Sequence, residues 1–180
     1  QTPREKLPLY IVTNQAAQIL QINALLSRYS ANGYFGGVAE IVEVYNTWMN
    51  QFGAGDPYIN GVVLGPEFFH LDPEGNQYYP FSAALTDLDI IFAVGTHYPT
   101  VRSLSLIDRV RSFVRHGMTE RQALEAVTTI PSKMVGRFGQ VGVISPGADA
   151  DLIVFDGSPF EISSKVNLTI VNGTRIWLEN

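Results

Sequence analysis

Three histidines carry most of the metal-ligating potential of this 180-residue chain, which has no cysteine. His97 follows the apolar run Ile90-Ile91-Phe92-Ala93-Val94 and the pair Gly95-Thr96. That places it at the C-terminal mouth of a predicted strand, where an imidazole can ligate a divalent ion or carry a proton. One histidine is not a site, because a catalytic zinc takes three protein ligands and an open position. A histidine bonded to a neighbouring loop is the commoner outcome for such a residue. His70 lies in Glu67-Phe68-Phe69-His70-Leu71-Asp72, where Glu67, His70 and Asp72 together have ligand-like chemistry within a segment that is polar anyway. His97 and His70 are thus the weak metal candidates, and His97 alone is a weak catalytic one. His116 stands beside Gly117 and reads as a helix-end residue that suits the helix dipole.

Other chemistries find less support. Asp149 and Asp151 flank Ala150, a spacing that suits turn hydrogen bonding better than paired-carboxylate catalysis. No serine sits in a Gly-x-Ser-x-Gly elbow. Gly36-Gly37 is followed by neither Walker nor Rossmann spacing, so it is not a phosphate loop. Without cysteine, disulfides, thiolate metal sites and cysteine nucleophiles are excluded. A net charge of -5 argues against a nucleic-acid surface. No apolar run approaches the ~20 residues of a spanning helix. The first residues, Gln1-Thr2-Pro3-Arg4, read as a processed end or a cut through a longer chain.

The elements that would position these residues alternate. Leu9-Tyr10-Ile11-Val12 is strand-like, and Thr13 or Asn14 can cap a helix through about Tyr29, with Asn32-Gly33 as its stop. Tyr34-Phe35-Gly36-Gly37 follows, and then Ile41, Val44, Tyr45, Trp48 and Phe52 form the apolar stripe of a second helix. Gly61-Val62-Val63-Leu64-Gly65 reads as a third strand, with a polar loop from Pro66 to about Tyr79. Pro80 to Leu88 suits a short helix before the fourth strand, Ile90 to Val94. Ser103 can cap the next helix, with Leu106, Val110, Phe113 and Val114 inward and Arg109, Arg111 and Arg115 on a solvated face. Thr119-Glu120-Arg121-Gln122 is a capping box, and Pro131 suits a first helical turn. Short buried strands alternating with amphipathic helices imply parallel β/α units.

The character changes after Gly136. Val141-Gly142-Val143-Ile144, the turn Ser145-Pro146-Gly147, Asp151 to Phe155 and a hairpin through Asn172-Gly173 all read as β structure. The division falls near residues 137–140, giving a β/α part, 1–136, and a β part, 137–180.

Two stretches carry a family likeness. Gly117-Met118-Thr119-Glu120-Arg121-Gln122-Ala123-Leu124-Glu125-Ala126-Val127-Thr128-Thr129-Ile130-Pro131-Ser132-Lys133-Met134-Val135-Gly136 and Val141-Gly142-Val143-Ile144-Ser145-Pro146-Gly147-Ala148-Asp149-Ala150-Asp151-Leu152-Ile153-Val154-Phe155-Asp156-Gly157 resemble the closing segment of the amidohydrolase superfamily. There a helix and a "T-x-x-P-A" turn lead into "G-x-I-x-x-G-x-x-A-D-L-V-V"; the order of strands and helices before it is similar to imidazolonepropionase-like members. The resemblance implies an α/β chain that is the C-terminal half of a (β/α)8 TIM-type barrel, its last four strands, followed by part of a small β-sandwich. Eight strands and their helices take about 250 residues. The missing half then comes from the rest of a longer polypeptide, a second chain or a symmetry mate, because an open half-barrel leaves unpaired edges.

The resemblance also implies one or two divalent ions, held by histidines at strand ends and an aspartate after the last strand, that activate water for attack on an amide or imide carbon. Val12-Thr13-Asn14, Gly36-Gly37 and Gly95-Thr96-His97 stand in those places instead. The expectation is a non-catalytic scaffold or accessory subunit with no bound metal, in a larger assembly that suits association with a membrane complex. The alternatives are a hydrolase of cyclic amides or other C–N bonds, whose zinc or similar ion is held by residues upstream or in another chain, and a small-ligand binder at the barrel mouth.

Overall fold

A computed structural model describes residues 8–13, 15–37, 59–65, 69–71, 78–87, 90–96 and 106–178. By contact the chain divides into two compact units, residues 1–101 and 102–180.

In the first unit, β1 (Leu9–Val12) leads into α1 (Ala16–Tyr29), β2 (Gly33–Gly36) and β3 (Ile59–Leu64). Then come β4 (Phe69–Leu71), β5 (Tyr78–Pro80), α2 (Phe81–Asp87) and β6 (Phe92–Val94). Strands β1, β2, β3 and β6 pair in that order, all parallel. Register sets the two faces. Ile11, Phe35, Val62 and Phe92 form one cross-strand row, and Leu64 and Val94 are partners on the same side. Phe35 and Val62 are fully buried, as are Ile19 of α1 and Leu85 of α2 to within a few per cent. The opposite face carries Tyr10, Val12, Gly36, Val63 and Ala93. It is open along β1, where Tyr10 is 56% and Val12 62% exposed.

Several expectations need correction here. The cap of α1 is Gln15, which makes no side-chain cap bond, so Thr13 does not cap the helix as expected; Asn14 lies outside the described residues. The helix stops at Ser30 in the left-handed region, where Ala31 N–H bonds back to the Leu26 carbonyl; Gly33 already belongs to β2. The segment from Pro66 to Tyr79 is not wholly loop, because β4 and β5 pair antiparallel with His70 opposite Tyr79. The fourth strand begins at Phe92 rather than Ile90. The helix expected over Ile41 to Phe52 and the cap expected at Ser103 lie outside the described residues.

The second unit opens with α3 (Leu106–Arg115), α4 (Glu120–Val127) and α5 (Thr129–Met134). Val110, Phe113, Met118, Ala123, Ala126 and Met134 are its buried apolar side chains. The capping box is present: Gln122 N–H donates to Thr119 Oγ1 at 3.2 Å, and Thr119 N–H donates to Gln122 Oε1 at 3.0 Å. Substituting Thr119→Ala should lower stability by about 1 kcal/mol in urea denaturation. An unchanged midpoint would show that the box adds nothing to α4.

Beyond α5, β7 (Leu152–Phe155), β8 (Val166–Val171) and β9 (Thr174–Leu178) form an antiparallel sheet. Asn172 and Gly173 turn between β8 and β9 with φ of 49° and 73°, as a type I′ hairpin requires. Residues 141–144 form no strand, contrary to expectation; Gly142, at φ 76°, breaks the extended backbone there.

The solvated arginine face is also corrected. Arg109 and Arg111 are buried and only Arg115 is exposed. Arg111 Nε donates to the Pro159 carbonyl at 2.9 Å and Nη2 to the Ser164 carbonyl at 3.1 Å. The guanidinium thereby ties α3 to the β7–β8 connection.

Candidate functional site

A parallel sheet gathers the C-terminal ends of its strands on one edge, and in β/α folds that edge is where chemistry is done. After β1, Thr13 is buried. Its hydroxyl donates to Gln18 Oε1 at 2.6 Å and accepts from Gln15 N–H at 3.4 Å, so it is spent on the first turn of α1. Gly36 and Gly37 close β2, Gly65 follows β3, and Gly95 and Thr96 follow β6. The Gly95 N–H continues the ladder to the Leu64 carbonyl at 2.9 Å.

The two glycines after β2 are glycines for different reasons. Gly37 has φ 74°, a conformation that favours glycine. Gly36 lies in β2 without a positive φ, yet a Cβ there would run into the hydroxyl and ring of Tyr10. Partial burial holds the Tyr10 phenol above the usual tyrosine range. Sequence reading noticed Gly36 but not Tyr10. Their shared face was readable only from register, since Tyr10 and Val12 alternate onto the side that Gly36 shares through its pairing with Val12.

His97 lies outside the described residues. His70 sits on β4, in the separate two-stranded sheet; Glu67 and Asp72 lie outside the described residues, as does the His70 side chain. His116 is exposed and its Nδ1 is 2.7 Å from the Ser112 carbonyl, a helix-end contact in the second unit. Among the described residues no three His, Asp or Glu side chains gather as metal ligands.

Two carboxylates of the second unit, those of Asp151 and Asp156, accept backbone N–H groups. Asp151 Oδ1 accepts the Asn172 N–H at 2.7 Å, bracing the β8–β9 turn, while the Asp149 N–H bonds the Gln140 carbonyl. Asp156 Oδ1 accepts the Lys165 N–H at 2.8 Å and the Ser164 hydroxyl at 3.1 Å. The Lys165 backbone bond is the main reason this carboxyl is held below the usual carboxylate range. A depressed carboxyl contributes stability above its unfolded pKa, and that stability fades as pH falls through the lower, folded value. Acidification should therefore accelerate amide exchange at Lys165, once corrected for intrinsic rates, and Asp156→Ala should bring the fast exchange up to neutral pH. Equal protection in the variant at pH 7 would sink this assignment.

The sequence matches the Amidohydrolase family over residues 74–176, more than half of the chain. The chain belongs to the amidohydrolase family. Solved structures agree on the fold. An amidohydrolase from Thermotoga maritima MSB8 superposes with TM-score 0.79 at 23% identity, over 98% of this chain and 45% of that one. A prolidase complexed with N-methylphosphonate-L-proline gives 0.54 at 16%, over 94% and 45%. An adenosine deaminase from Xanthomonas campestris with bound zinc gives 0.51 at 14%, over 97% and 53%. The amidohydrolase-family chain thus spans about half the length of these relatives. No curated protein matches it.

Family membership raises the question of a metal, and the described strand ends do not fit one. Thr13 is engaged by α1, glycine follows each of the other three strands, and Tyr10 stands where a side chain at residue 36 would go. The described edge offers an ion no donor set.

Proposed function

We propose that this chain is the C-terminal half of an amidohydrolase-type (β/α)8 barrel, residues 1–136, with part of the accompanying β-sandwich, residues 137–180. In this reading it works as a non-catalytic scaffold or accessory subunit. The observation that carries the proposal is that, among the described residues, glycines line the C-terminal edge of the parallel sheet, with Tyr10 across Gly36. The half-length alignment supports the need for a complement, as does the apolar, exposed face of β1. The complement is the remainder of a longer polypeptide or another protein chain, and a membrane-associated complex suits such a module. Among the described residues no helix is long and apolar enough to cross a membrane.

The half-length alignment equally supports a second reading, a metal-dependent hydrolase of cyclic amides or other C–N bonds whose ligands lie upstream or in another chain. Metal analysis of the purified full-length protein, in whatever assembly it forms, separates the two. The scaffold predicts substoichiometric zinc, iron and manganese and no turnover of imides, hydantoins or dipeptides. One tightly held ion per barrel together with hydrolysis would overturn it.

A further inference from the structure

We infer that Tyr10 has closed the strand-end position at residue 36, so that a side-chain ligand cannot return there by change of residue 36 alone. The inference deepens the scaffold reading and rests on it. Three observations carry it. First, Gly36 and Val12 are cross-strand partners, which puts Tyr10, two residues before Val12 on β1, on the face that a side chain at 36 would share. Second, the three heavy atoms nearest to a Cβ at Gly36 are Oη, Cζ and Cε2 of Tyr10, the last two at 2.7 and 3.0 Å. Third, Gly36 has no backbone need to be glycine, unlike Gly37 at φ 74°. What a side chain at 36 meets is therefore the Tyr10 ring and not a forbidden backbone angle.

The colliding atoms belong to the far end of a half-exposed ring, which decides the size of the effect. Alanine at 36 is accommodated by turning the phenol toward solvent. An imidazole needs the ring removed from that volume. Tyr10 also covers Gly36, which is buried although the strand beside it is open. The pair therefore fills part of the edge where the resemblance implies a histidine.

A double-mutant cycle on the full-length protein tests the pairing. G36A and G36H are made with Tyr10 present and with Y10A, and all are followed by thermal melting. With Tyr10 present, G36H should melt several degrees below the parent and G36A less so; with Y10A the G36H loss should shrink by half or more. G36H that folds only in the Y10A background supports the pair equally. The same loss in both backgrounds, failure to fold in both, or no loss in either overturns it. Zinc content of the parent protein is read separately. Stoichiometric zinc sinks the scaffold reading and leaves the pair to the melts, whereas additive losses sink the pair and leave the scaffold reading standing.

Discussion

Replacing Arg111 with methionine should lower the unfolding free energy by about 2–4 kcal/mol. The methionine keeps most of the apolar stem but strips two carbonyls, of Pro159 and Ser164, of their donor. A buried acceptor left without a partner costs about 1–3 kcal/mol. The third contact, to Asp108 at 3.3 Å, contributes little, because that carboxylate is 71% exposed and screened by water. Asp108→Ala should therefore change stability by less than about 0.5 kcal/mol. Lysine cannot reproduce a planar fork aimed at two carbonyls, so Arg111→Lys should fall between the two. Urea unfolding measures the series, and hydrogen exchange over residues 156–165 shows where protection is lost. A methionine variant no weaker than the Asp108 variant would refute the strut.

Arg111 also shows where sequence reading stops. On α3 the spacing of Val110 and Phe113 marks the buried stripe, and both residues are buried. An arginine beside that stripe reads as solvated by default, and nothing local says that two carbonyls some fifty residues later will meet it. Signals confined to a few residues read well. The Thr119–Gln122 box, the Asn172-Gly173 turn and the four parallel-strand segments each rest on local backbone chemistry or alternation. The β4–β5 pair was missed because three-residue strands are too short to show a period of two. The relation of Tyr10 to Gly36 needs strand register, which a single strand does not carry. Of the site itself, the sequence made legible the glycines after the strands and the family, and the structure supplied the reasons for two of those glycines, Gly36 and Gly37.

The motif that carried the family resemblance contains two glycines with different physical duties, and their alanine variants should separate accordingly. Gly147 is the third residue of the Ser145-Pro146-Gly147-Ala148 turn, closed by the Ala148 N–H to the Ser145 carbonyl at 3.1 Å. Its φ is 88° and a Cβ there meets nothing within 4 Å, so Gly147→Ala should cost only the left-handed penalty, about 1–2 kcal/mol. Gly142 has φ 76° as well, but a Cβ there runs into the carbonyl of Thr128 and lies 3.0 Å from Ser132 Cβ. That carbonyl accepts the Ser132 N–H at 3.2 Å at the start of α5, so it cannot back away without loosening the helix. The Thr129 hydroxyl bonds the Gly142 carbonyl at 3.2 Å and holds the two segments together. Gly142→Ala should thus add a steric and hydrogen-bond loss to the same backbone penalty, about 3–5 kcal/mol in all. Urea midpoints of the two variants decide the matter. If Gly142→Ala is no more damaging than Gly147→Ala, the close approach of residue 142 to the α4–α5 junction does not limit stability, and the glycine of the motif is there for its backbone angle alone.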